Sequence, residues 1–163
     1  MTVSERTLAD IRHDSVERMV EADKQHAKWL YKKFRDGGDV KFDEMAKFLL
    51  GEQYELPSVT EQRITTQRQD TGSDNTIKFY SCFQAGSVLK RHYHSDCTEY
   101  LTVEDEDAEF LVITGTDKGG DLKFNILNKS FGTLAIPPNV VHQVSSRGIR
   151  GRSKIIIEFE KSN

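Results

Sequence analysis

The chain has 163 residues, 36% of them hydrophobic and 30% charged, and a formal net charge of −3. That length suits one domain able to bury a single core, and a slightly acidic balance with mixed signs argues against nucleic acid, which needs a concentrated positive surface. Apolar runs too short for a bilayer, an N-terminus without a secretory pattern and only two cysteines, Cys82 and Cys97, together predict a cytoplasmic chain with free thiols and no membrane partner.

Residues 1–55 carry a helical pattern. Leu8, Ile11, Val16, Met19 and Val20, then Ala27, Leu30 and Phe34, recur at spacings near three and four. Lys32, Lys33 and Arg35 fall late in this run, as a helix dipole favours. His13 and His26 have no ligand-type partner nearby in the pattern and are expected to be solvated. Asp36-Gly37-Gly38-Asp39 breaks the segment, and FDEMAKFLL then predicts a second short helix, with Asp43 as N-cap and Gly51 as stop. Its apolar face of Met45, Phe48 and Leu49 requires a partner surface, because so short a helix is not stable alone.

From residue 56 the texture is β. TEQRITTQR alternates as a half-exposed strand does, and NTIKFYSCF is rich in strand formers. EYLTV, AEFLVIT, DLKFNIL, GTLAI, VVHQVSS and KIIIEFE follow, separated by turn-like clusters. Seven or eight short strands so spaced predict an antiparallel sandwich or barrel. The expected organisation is therefore a helical N-terminal arm over 1–55 and a β-barrel over 56–163. Alternation makes Phe79, Phe83, Leu101, Val103, Ile155 and Ile157 its candidate wall residues.

Chemistry concentrates in GSVLKRHYHSDCTE, residues 86–99. Side chains at i and i+2 of a strand share a face roughly 6.5–7 Å apart, so His92 and His94 project together while Arg91 and Tyr93 project away. Lys90 shares their parity if no bulge intervenes, and an inward lysine would suit an anionic substrate. Ser95 to Thr98 can reverse the chain and return Glu99 beside the imidazoles. Two imidazoles and a carboxylate on adjacent strands make a metal site with positions left open for water or substrate. A second stretch, FGTLAIPPNVVHQVSS, has a rigid Pro-Pro-Asn turn that launches a strand whose third residue is His142.

Gly86, five residues, His92-Tyr93-His94, four residues and Glu99 resemble the first motif of the cupin superfamily, the RmlC-like metal-binding proteins. Gly132 through Pro137-Pro138-Asn139 to His142 is similar to the second. The resemblance covers roughly residues 60 to 160 and implies a mainly β fold, the cupin-type double-stranded β-helix or jelly-roll barrel, here with an N-terminal helical extension. It implies that His92, His94, Glu99 and His142 are the four protein ligands of one divalent transition metal, iron favoured over manganese, nickel or zinc. Two positions depart from the family pattern: Glu106 and Asn139 stand where glycine is usual. Asparagine tolerates left-handed backbone angles better than most residues.

By the same resemblance the chain is expected to be a metal-dependent enzyme acting on a small polar metabolite, a mononuclear non-haem iron or manganese oxidoreductase of the dioxygenase kind. A non-redox lyase or isomerase shares the same site, and a non-catalytic sensor or binding module is the alternative. No general base is evident. Cys97 is expected to be a bystander in the turn, and Tyr100 has the wrong parity for a catalytic phenol. The basic stretch RGIRGRSK lies a strand length beyond His142, about 13–15 Å away, and reads as a solvated turn at the opposite rim. Cupins commonly pair their barrels, so a homodimer is expected.

Overall fold

The computed structural model describes residues 37–46, 53–56, 64–69, 71–115, 121–147 and 152–163. The long helical pattern of residues 1–36, with His13 and His26, lies outside them, as do Phe48, Leu49 and Gly51. Among the described residues the chain forms one short helix, α1 (Phe42–Ala46), and ten strands. The strands are β1 (Gln53–Leu56), β2 (Ile64–Gln69), β3 (Thr76–Gln84), β4 (Val88–His92) and β5 (Cys97–Thr102), followed by β6 (Phe110–Thr114), β7 (Lys123–Leu127), β8 (Thr133–Ile136), β9 (His142–Ser146) and β10 (Arg152–Lys161). No described helix is long and apolar enough to cross a membrane.

The strands form two antiparallel sheets. One has six strands in the order β1-β2-β3-β10-β5-β8, the other four in the order β4-β9-β6-β7. Alternation along each strand decides which side faces inward. β3 buries Ile77, Phe79, Ser81 and Phe83, and β5 buries Cys97, Glu99 and Leu101. β10 runs between β3 and β5 and carries Ile155, Ile156 and Ile157, all buried. Leu101, Val103 and the other expected wall residues are in the core. Phe83 from the six-stranded sheet meets Phe110 from the four-stranded sheet edge-on, with ring centroids 5.2 Å apart, a geometry aromatic pairs prefer.

Three local expectations change. β1 straddles the point where the helical arm was expected to give way to the barrel; four residues are too few for alternation to stand out. Helix α1 begins one residue before Asp43, and Glu44 Oε2 accepts the Lys41 N–H at 3.1 Å. Lys41 thus takes the N-cap position in place of Asp43, and the glutamate, third residue of the helix, reaches back to the N–H of that cap. In β4 the register shifts between Leu89 and His92. Such a bulge adds one residue to the strand and inverts the parity beyond it. Leu89 and His92 are therefore both buried, and Lys90 is exposed. An inward lysine is excluded.

Candidate metal centre

Both sheets contribute to one cluster. His92 closes β4 and His142 opens β9, directly opposite each other in the ladder of the four-stranded sheet. Glu99 projects from β5 of the six-stranded sheet, flanked by Ile136 and Phe159. His94 stands between β4 and β5, its ring 4.9 Å from that of Phe159. All four are between 1 and 3% exposed. The imidazole centroids are 4.3 to 5.2 Å apart. One donor atom from each of the four lies within 4.8 Å of every other.

Turns of defined backbone bring these groups together. Asn139 has φ of +67°, a left-handed conformation that asparagine tolerates better than most residues. Its N–H donates to the His94 carbonyl at 2.8 Å, so the Pro-Pro-Asn turn anchors two of the ligand-bearing loops to each other. Gly86, just before β4, and Gly132, just before β8, also take positive φ, at +78° and +86°. The turn through Glu106 forms without the usual glycine, and Glu106 pairs with Lys129 at 3.2 Å on the surface.

The imidazoles share one hydrogen-bonding scheme. His92 Nδ1 bonds the Lys90 carbonyl at 2.8 Å, His94 Nδ1 the Val40 carbonyl at 2.6 Å, and His142 Nδ1 the Val140 carbonyl at 2.9 Å. A carbonyl only accepts, so each Nδ1 must donate its proton, and in the neutral ring Nε2 is left as a bare lone pair. His142 Nε2 is 2.6 Å and His94 Nε2 3.2 Å from Glu99 Oε2. With Nδ1 protonated none of these three atoms carries a hydrogen to offer the others, and all three lack a hydrogen-bond partner.

An acceptor-only cage of this kind is unfavourable to bury unless a cation occupies it. Without metal, a proton partly fills that role. Burial pushes the His142 pKa down, but the Glu99 charge, the contact with its carboxylate and the Val140 carbonyl together outweigh it and the net shift is upward. Burial pushes Glu99 up, and His142 with His94 reverse this, holding the carboxyl well below its ordinary range. Burial, reinforced by His142 and His94, drives His92 well below the ordinary imidazole value, so it stays neutral. Three nitrogens and one oxygen suit a divalent transition metal. Donors about 2.0–2.2 Å from a common centre lie at most about 4.4 Å apart, so closing the cage around an ion takes a movement of tenths of an ångström.

Around this set, the other candidates fall away. Cys97 is buried on the same face of β5 as Glu99, and burial, with Asp96, Glu99 and Asp39, pushes its thiol far up, so it stays protonated. Cys82 is likewise a free thiol. Arg91, Tyr93 and Tyr100 are half-buried, and Tyr100 lines an outer groove with Lys78 and Glu158. Arg147 is exposed beyond the far end of β9, and residues 148–151 lie outside the described set. The sequence does not point to Val40 or Asp39: a backbone carbonyl that receives an imidazole leaves no mark in residue identity, and Asp39 reads only as part of a helix-breaking run until its carboxylate is seen on Ser95.

No family model matches the chain, and no curated protein does. Solved structures do. A recombinant oxalate oxidase in complex with glycolate is 21% identical, with a TM-score of 0.51 over 66% of this chain and 55% of its own. An oxalate decarboxylase of Bacillus subtilis studied for its Mn(II) centres is 10% identical, with a TM-score of 0.51 over 69% of this chain and 28% of its own. Peruvianin-I, described as a cysteine peptidase from Thevetia peruviana latex, is 12% identical, with a TM-score of 0.51 over 66% and 68%. The chain thus spans about half of the oxidase and less of the decarboxylase. At these identities the likeness shows the fold, and the fold is the cupin-type jelly roll of two antiparallel sheets. The differing activities of the three show that this fold does not choose a reaction.

Proposed function

We propose that this chain is a metal-dependent cupin enzyme acting on a small polar metabolite, a mononuclear non-haem iron or manganese oxidoreductase of the dioxygenase kind. One observation carries the metal reading: three imidazoles, each with Nδ1 committed to a carbonyl, gather with a buried carboxylate whose Oε2, facing them, has no donor. Bound there, a divalent metal supplies Lewis acidity and, for iron or manganese, redox chemistry at positions the protein leaves open.

The chain's own residues do the rest. Backbone carbonyls of Lys90, Val40 and Val140 fix the three ring orientations, and bonds of this kind raise ligand basicity. Glu99 contributes the single negative charge, and the apolar walls around it, including Phe159 and Ile136, exclude bulk water. No described side chain beside the cage is assigned as a general base. Oxalate and glycolate, acids associated with the structural relatives, are the first compounds to test; that choice rests on the shared fold alone.

A metal-binding sensor is the second reading, favoured by the near-complete burial of all four ligands. Purified protein separates the two. Elemental analysis should find about one iron or manganese per chain, and His94→Ala should abolish that occupancy while circular dichroism shows the barrel intact. Oxygen uptake with a panel of small carboxylic acids supports the oxidoreductase. Metal turnover of an acid without oxygen uptake supports a lyase or isomerase, and tightly held zinc without turnover supports the sensor. Full occupancy in His94→Ala overturns the ligand assignment. We further propose a homodimer, which sedimentation equilibrium tests.

A further inference from the structure

Residues 39, 40 and 42 hold the loop that carries His94. His94 Nδ1 donates to the Val40 carbonyl at 2.6 Å. The Ser95 N–H donates to Asp39 Oδ1 at 2.9 Å and its hydroxyl to Oδ2 at 2.5 Å. The Phe42 N–H donates to Asp96 Oδ1 at 2.9 Å. Asp39 also forms a parallel bridge with Tyr93, in which Tyr93 N–H bonds Gly38 O at 3.3 Å and Val40 N–H bonds Tyr93 O at 2.9 Å. Gly37 at φ +72° lets the segment enter close to the Arg91 carbonyl, 3.3 Å from where a Cβ would stand. Val40, Phe42 and Met45 belong to the hydrophobic core.

We propose that Asp39 is a positioning residue for the metal centre, and that docking of residues 37–46 and metal binding favour each other. The inference rests on the metal reading above. The direction of the His94 Nε2 lone pair follows from where Nδ1 is held, Nδ1 is held by Val40, and Val40 is registered against the loop by the two bonds of its neighbour Asp39. A metal that orders His94 must by thermodynamic reciprocity tighten the segment that orders it too. Partners of ligating imidazoles typically change metal affinity 10–100-fold.

Cobalt(II) titration of the full chain, read by its visible absorption and by chelator competition, tests this alongside amide exchange at Val40. Asp39→Ala should weaken Co(II) binding about 10–100-fold and alter the visible band. Asp39→Asn should restore most of both, since its amide can accept from the Ser95 N–H and donate to the Ser95 hydroxyl oxygen. Asp43→Asn should bind as wild type: its carboxylate, on the same segment, contacts Lys161 Nζ at 3.3 Å on the surface. Val40 exchange should slow on Co(II) loading in the wild type and not in Asp39→Ala. Should Asp39→Ala fail to fold, Ser95→Ala removes only the hydroxyl bond and should give a smaller loss of the same kind. Unchanged affinity and band in these variants, or Val40 exchange indifferent to loading, overturns the proposal. A wild type that takes up no Co(II) overturns the metal reading itself, a result plainly different from variants that bind as well as wild type.

Discussion

At the scale of the residue, the decisive choice is which imidazole nitrogen keeps its proton. Three backbone carbonyls make that choice the same way, and the Nε2 atoms of His94 and His142 are left against the Glu99 carboxylate. The metal-free cage then holds a proton on His142, whose pKa is raised, while His92 stays neutral. Metal must displace the His142 proton, which Glu99 holds more tightly than a free imidazole holds its own. Occupancy should therefore fall as pH drops, with its midpoint displaced upward by the raised His142 pKa. Below that pKa each metal bound should release close to one proton. Calorimetric titration in buffers of different ionisation enthalpy reads that number. Zero protons released at pH 6 would contradict the assignment of the cage proton to His142. His92, His94, Glu99 and His142 were all legible in the sequence, since ligand chemistry resides in side-chain identity. Their carbonyl partners were not, because every residue owns a carbonyl.

At the scale of the element, alternation predicted most strands but could not anticipate where a ladder slips. The bulge between Leu89 and His92 turned Lys90 outward while leaving His92 and His94 on the interior side. A slip of one residue reverses a strand's faces, and nothing in VLKRH announces it. The Pro-Pro-Asn turn was readable, because only a few residue types tolerate positive φ. Asn139→Gly should thus leave thermal stability within about 0.5 kcal/mol of wild type, whereas Asn139→Ala should cost about 1–2 kcal/mol. Because the Asn139 N–H also bonds the His94 carbonyl, the alanine variant should lose metal affinity along with stability. Thermal unfolding with and without metal separates the two effects.

At the scale of the molecule, two sheets must meet before the four ligands can. His92 and His142 sit on one sheet and Glu99 on the other, and Phe83 against Phe110 is among the contacts that join them. Both rings are wholly buried. Phe83→Ala should cost about 3–5 kcal/mol in chemical denaturation of the metal-free protein, and a loss below 1 kcal/mol would show the sheets to be joined mainly elsewhere. By itself the sequence determined the β character, the two turn-bounded motifs and the identity of the four residues that converge. These follow from local properties: two-residue periodicity, turn residues with restricted φ, and donor chemistry. Only the tertiary structure decided the facing of Lys90, the place of β1 at the sheet edge, and the hold of Asp39 and Val40 on the His94 loop. Each of those depends on which groups meet across a distance along the chain: backbone pairing, indifferent to the side chains it carries, decides the first two, and side chains meeting distant backbone or hydroxyl groups decide the third.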